Sequence, residues 1–166
     1  MTILVLGTPG SGKSALAENK TCELSVGSLY YLATMQVVDE ASEKRVEKHL
    51  KARSGKGFIT LERDLDICRA LDDIENPEEA TVLLECITNL AGNEMHRKGA
   101  GSIEEVCLKV TEDVTTLSKG VKNLIIVSNK LDDNDSFDEE TRDYIRLVNA
   151  VNQRLREISE DVYELS

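Results

Sequence analysis

Apolar residues along this chain fall into short unbroken blocks, set apart by longer polar stretches and glycine-bearing loops. The first block, Thr2-Ile3-Leu4-Val5-Leu6, is β-branched and apolar and predicts a buried strand. Similar blocks predict strands over 28–33, 57–61, 80–85, 122–128 and 162–165. Between them, helical patterns fall over 14–20, 39–53, 64–73, 87–97, 102–118 and 137–159. Gly99 and Gly101 split two of these helices, Glu75-Asn76-Pro77 marks a turn, 54–57 is a glycine-bearing loop, and 132–138 is an acidic loop. Strand and helix alternate, which implies an α/β fold with a mostly parallel sheet and helices on both faces. Ligands of such sheets bind beyond the carboxyl ends of the strands. With no internal repeat or low-complexity linker, residues 1–166 read as one domain.

Composition changes this picture little, and charge changes it more. Hydrophobic residues make up 40% and charged residues 31%, an ordinary balance for a water-soluble domain. The net charge of −11 argues against a general nucleic-acid binder, so any anionic ligand needs a local positive site. Cys22, Cys68, Cys86 and Cys107 show no C-x-x-C spacing and read as reduced core thiols rather than a disulfide frame or zinc site. The chain enters a core strand at once, so no signal peptide is expected. No apolar run approaches the ~20 residues of a membrane span, and the expected location is the cytoplasm.

The chemistry begins immediately after the first strand. Gly7-Thr8-Pro9-Gly10-Ser11-Gly12-Lys13-Ser14 matches the phosphate-loop pattern G-x-x-x-x-G-K-[ST] in full, between a strand and a helix. Glycines there let backbone N–H groups turn in on phosphate oxygens, and the helix N-terminus adds its dipole. Lys13 would reach the β/γ-phosphates and Ser14 would hold Mg²⁺. Glu85, at the end of the apolar run Thr81-Val82-Leu83-Leu84, stands where such a protein places its second Mg²⁺ group. In the helix over 39–53, Arg45, His49 and Arg53 share one stripe. That stripe reads either as a solvated helix face or as an imidazole nucleophile set between two guanidiniums. His96 has no such stripe and reads as a surface residue. Asn129-Lys130-Leu131-Asp132 fits the N-K-x-D guanine motif of GTPases, but a D-x-x-G partner is missing, and an acidic solvated turn fits equally.

The order of these segments resembles the bifunctional adenosylcobinamide kinase / adenosylcobinamide-phosphate guanylyltransferase family of cobalamin biosynthesis. The resemblance runs from Ser11-Gly12-Lys13-Ser14 and Ala17-Glu18 through Tyr31-Leu32-Ala33-Thr34 to Arg45-Val46-Glu47-Lys48-His49 with Arg53. It continues through Thr60 and Glu62, Leu83-Leu84-Glu85-Cys86-Ile87-Thr88 with Asn93, and Val151-Asn152-Gln153. The family implies a RecA-like P-loop NTPase fold and a homo-oligomer, usually a homotrimer. It implies phosphorylation of a cobinamide hydroxyl by ATP or GTP, then transfer of GMP from GTP through a guanylylated histidine. By motif match that histidine is His49, with Arg45 and Arg53 beside it, and Glu62 is carried over as a nucleotide contact. Gly10 stands where the family usually has Arg, Arg53-Ser54 replaces its R-P, and Phe58 replaces its Trp. Its N-E-V-G-x-G-I-V-P stretch gives way to Asn129-Lys130-Leu131-Asp132 and the acidic loop. These departures leave a second reading beside the first: a divergent P-loop small-molecule kinase or nucleotide-binding paralogue without guanylyl transfer.

Overall fold

The computed structural model describes residues 1–36, 39–53 and 55–166, with 49, 50, 52 and 53 described in backbone only. Six strands form one sheet: β1 (Thr2–Gly7), β2 (Leu29–Ala33), β3 (Ile59–Glu62), β4 (Thr81–Glu85), β5 (Asn123–Asn129) and β6 (Asp161–Leu165). Every pairing is parallel, and the order is β3-β2-β4-β5-β1-β6. The helices are α1 (Lys13–Leu24), α2 (Glu40–Arg53), α3 (Ile87–His96), α4 (Ile103–Gly120) and α5 (Glu139–Ile158).

The apolar blocks are continuous because both faces of the sheet are covered. On one face Leu4, Leu6, Leu32, Val82, Leu84, Leu124 and Ile126 pack with Leu90 of α3, Val110 and Leu117 of α4, and Val148 and Leu155 of α5. The alternate positions Ile3, Val5, Tyr31, Leu83, Ile125 and Val127 pack on the other face with Ala17 and Leu16 of α1. This is the period-2 alternation of a strand with two buried sides. The sheet therefore matches the α/β expectation, with helices on both faces.

Register aligns the strand tips. Gly7 pairs with Asn129, Ala33 with Glu85 and with Glu62, and Glu85 with Val127. Gly7, Glu62, Glu85 and Asn129 thus share the carboxyl edge. β1, which carries the phosphate loop, is not beside β4, which carries Glu85; β5 lies between them.

Several local expectations change. The helix expected over 64–73 is a 3-10 helix confined to Ile67–Asp73. Asp66 sits in the left-handed region (φ 51°) with its N–H donated to Glu94 Oε2 at 2.9 Å, which blocks an earlier helical start. The turn at Glu75-Asn76-Pro77 runs into a second short 3-10 helix, Pro77–Glu79. α1 runs on to Leu24, beyond the expected 14–20. The α4 start is as expected, with a capping box of Ser102 and Glu105. The four thiols are free, but only Cys107 is buried and Cys22 is exposed. α1 turns Ala17 and Thr21 inward, and Cys22, one residue on, turns away. Among the described residues no helix is long and apolar enough to cross a membrane.

An ionic cluster ties α3 and α4 to the Asp66 turn. Glu94, 1% exposed, meets Arg97 at 2.8 Å and Lys109 at 3.6 Å. Asp66 meets Arg97 and Lys109, each at 2.8 Å, and Lys109 also meets Asp113 at 2.8 Å. The carboxylates of Asp66, Glu94 and Asp113 converge as metal ligands could, within 4.8 Å of one another. The Lys109 ammonium and Arg97 guanidinium already sit among them and offset most of their charge from within. Hydrogen bonds from Arg97, then Lys109, hold the Asp66 carboxyl down at about 2. Burial pushes the Lys109 ammonium down, but its bonds to Asp113 and Asp66 win and raise it.

Candidate active site

The phosphate loop closes on itself as its sequence requires. The Ser11 N–H donates to Thr8 O at 3.1 Å. Gly10 (φ 77°) and Gly12 (φ 91°) lie in the left-handed region, where a side chain would be strained. A Cβ on Gly7 would collide with Ser11 Oγ and lie 3.2 Å from Lys13 Cβ and Cδ, so the lysine stem crosses Gly7. Gly12 caps α1 without a side chain, which leaves the first N–H groups of the helix open to a ligand. Ser11 Oγ is buried and has no partner among the described residues, so its donor is open.

Glu85 supplies the second half of this end of the site. Ser14 Oγ donates to Glu85 Oε1 at 2.6 Å, and the Tyr31 hydroxyl donates to Oε2 at 2.8 Å. Tyr31 is 2% exposed and meets the Phe58 ring edge-on, so the carboxylate is aimed by a fixed side chain. A serine hydroxyl touching a carboxylate is an all-oxygen donor set, and it fits Mg²⁺. Burial of the neighbouring Cys86 sulfur raises its thiol.

The third strand tip is held by residues that the sequence offered only as members of motif or resemblance segments. Thr34 Oγ1 donates to Cys86 O at 2.8 Å and accepts from Cys86 N at 2.9 Å. Asn93 Nδ2 donates to Thr34 O at 2.8 Å and to Asp64 O at 3.0 Å. Together these fix the first turn of α3 against β2. Asn129 Nδ2 donates to Thr88 Oγ1 at 3.2 Å, and Asn152 Nδ2 on α5 donates to Asn129 O at 3.0 Å. Asn152 is fixed in turn by Ser128 Oγ at 2.5 Å. Asn129 Oδ1 is buried without a partner among the described residues. Asn129 is in register with Gly7, and Lys130 pairs with Glu164 at 3.0 Å. The N-K-x-D segment therefore stands at the phosphate end of the site.

One cleft of about 460 Å³ gathers these groups. Pro9, Gly10, Lys13 and Ser14 line one wall, and Glu85, Thr88, Asn89 and Asn129 line the strand-tip wall. Arg45 of α2 and Glu62 at the end of β3 close the far side. Gly7, Thr8, Ser11 and Gly12 complete the loop behind the lining. His49 and Arg53 follow Arg45 by one and two turns of α2, and their side chains lie outside the described residues. His96 is exposed, as expected, but not solitary: its Nε2 lies 2.6 Å from Glu140, and that hydrogen bond raises its pKa.

A family model described as cobinamide kinase / cobinamide phosphate guanyltransferase matches residues 3–166. The bifunctional adenosylcobalamin biosynthesis protein CobU of Escherichia coli K12 is 37% identical over 93 residues, 56% of this chain and 49% of that protein. The aligned stretch thus spans about half the length of that curated relative. The flagellar accessory protein FlaH of Methanocaldococcus jannaschii superposes with a TM-score of 0.50 at 12% identity, over 98% of this chain and 70% of that one. At that identity the likeness concerns the α/β fold alone.

Proposed function

Because the chain belongs to the cobinamide kinase / cobinamide phosphate guanyltransferase family, we propose that it carries out both transfers on a cobinamide acceptor. The observation that supports this best is the 460 Å³ cleft, where the phosphate loop, the Ser14–Glu85 pair, Arg45 and Glu62 converge. In the first reaction the acceptor hydroxyl oxygen bonds to the γ-phosphorus of a nucleoside triphosphate. The bond from that phosphorus to the β–γ bridging oxygen breaks, the diphosphate leaves, and the hydroxyl proton passes to water. The loop N–H groups and Lys13 lie where the β/γ charge develops. Ser14 and Glu85 would hold Mg²⁺, which when bound offsets the charge of the β- and γ-oxygens.

In the second reaction a ring nitrogen of His49 bonds to the α-phosphorus of GTP and pyrophosphate leaves. The proton on the other ring nitrogen is lost to solvent. An oxygen of cobinamide phosphate then bonds to that phosphorus, the P–N bond breaks, and the imidazole regains its proton. Splitting the exchange through a covalent intermediate divides one hard step into two easier ones. Arg45, with Arg53 on the same stripe, is placed by this reading to neutralise the α-phosphate, and Glu62 to contact the nucleotide. The same reading places the enzyme in the cytoplasm as a homo-oligomer, usually a homotrimer, which light scattering would check.

The test is intact mass after incubation with GTP and Mg²⁺. A mass gain of one GMP, acid-labile and absent from His49→Ala, is expected. Absence of the adduct while nucleotide still binds would sink the guanylyl half and leave a kinase.

A further inference from the structure

Beside the nucleotide cleft lies a larger cavity, of about 780 Å³, that the two transfers as written leave unused. It falls within the range of about 300–1,000 Å³ typical of small-molecule sites. The two cavities share Thr88 and Asn89, so they meet at the first turn of α3, within one side chain of the Glu85 tip. The larger one is walled by α3, by the start of α5 and by Gln36 and Leu65 from the strand-following loops.

We propose that this cavity is the acceptor site and takes the body of a large macrocycle bearing primary carboxamides. Its reactive arm passes Thr88 and Asn89 to reach the phosphates. The proposal rests on the cobinamide reading above and adds to it where the acceptor sits. Three features of the wall carry it. The first is a supply of amide partners. Asn93 uses both Nδ2 protons on Thr34 O and Asp64 O, so it offers a ligand its carbonyl oxygen. Gln36 Nε2 is engaged by Asp64 at 2.9 Å, leaving Gln36 a carbonyl oxygen too, and Asn89 adds a whole amide.

The second feature is a flat apolar patch. A Cβ on Gly92 would lie 3.3 Å from the Tyr144 ring, so bare backbone meets an aromatic edge there. The Tyr144 hydroxyl is turned away onto Thr88 O at 3.0 Å. The third is the charge balance, which offers a second nucleotide little free positive charge. Arg97 is engaged by Asp66 and Glu94, His96 by Glu140, and Lys98 is the lining cation that forms no ion pair among the described residues. One ammonium without an ion pair among the described residues suits a hydrogen-bonding body better than a triphosphate.

The test plugs the cavity from its rim. Thr141 is exposed, and only its backbone N–H serves the α5 cap, through Asp138. Thr141→Trp fills the space without touching the core, and Lys98→Trp does so from the opposite rim as an independent variant. Cobinamide binding is followed by its visible absorbance, with a non-hydrolysable ATP analogue present, and analogue affinity is measured separately. Both plugs should weaken cobinamide binding by about tenfold or more and leave analogue affinity at the wild-type value. Wild-type cobinamide affinity in both variants would overturn the acceptor site and leave the family reading standing. A wild-type protein that binds the analogue but no cobinamide would overturn both.

Discussion

At the scale of single residues, the phosphate end of the cleft is a set of polar donors and acceptors held in place before any ligand arrives. Ser11 Oγ and Asn129 Oδ1 are buried without partners among the described residues, whereas Ser14, Tyr31 and Glu85 are bonded to one another. Polar groups left open inside a protein cost free energy, and a ligand recovers it. Lys13 differs from them because it carries a full charge over Gly7 on a stem that no other group replaces. Lys13→Ala should lower the rate of phosphoryl transfer by about 10²–10³. It should leave the thermal unfolding midpoint of the ligand-free protein in place. An equal fall in both quantities would mark Lys13 as structural. Thr34, fully buried and in a reciprocal pair with Cys86, is the opposite case. It reaches the cleft only through the backbone of Glu85 and Cys86, and it acts by fixing where α3 begins.

At the scale of elements, the ionic cluster around Lys109 binds α3, α4 and the 3-10 helix into one unit. Removing one partner from a buried pair costs about 3–5 kcal/mol, and an exposed pair is worth about 0–1. Lys109 is 38% exposed and Glu94 1%, so Lys109→Met should cost an intermediate amount, about 2 kcal/mol at neutral pH. The sign with pH follows from Asp66. Its carboxyl is lowered in the folded chain from its ordinary 3.8 to about 2. The stability it contributes is therefore complete above pH 4 and is lost as pH falls toward 2. The penalty of Lys109→Met should shrink over that window, as urea unfolding at a series of pH values would show. A constant penalty would exclude Asp66 as the linked group. This cluster also shows where sequence reading stopped. The strands, α4 and α5 were legible because burial on two faces, or on one stripe, writes a local pattern. The start at Ile67 was not, because it is set by Asp66 bonding to Glu94 on another element. The same holds at the site. Gly7 to Ser14 and Glu85 were readable from a contiguous motif and a strand end. Thr34, Asn93, Asn129 and Asn152 stood in the sequence only as members of motif or resemblance segments; their roles run through hydrogen bonds across 23 to 59 residues, and these partners leave no spacing signal.

At the scale of the molecule, the strand order has a consequence for how the chain is made. β2, β3 and β4 can pair among themselves as soon as they exist, but β1 pairs only with β5 and β6. β1 thus waits for β5, which joins it to the unit of β2, β3 and β4 from between them, and β6 then adds at the edge beside β1. Pairings of such long sequence separation form slowly and leave strand edges open in the meantime. A chain released after residue 122 holds the whole phosphate loop, Arg45, Glu62 and Glu85, yet its loop strand has no neighbour. Such a fragment should fail to bind a fluorescent nucleotide analogue that the full chain binds; binding with full-chain affinity would contradict this. The newborn polypeptide carries every letter of its nucleotide motif long before it can read a nucleotide, and a molecular chaperone would meet it during that interval with β1 still unclaimed.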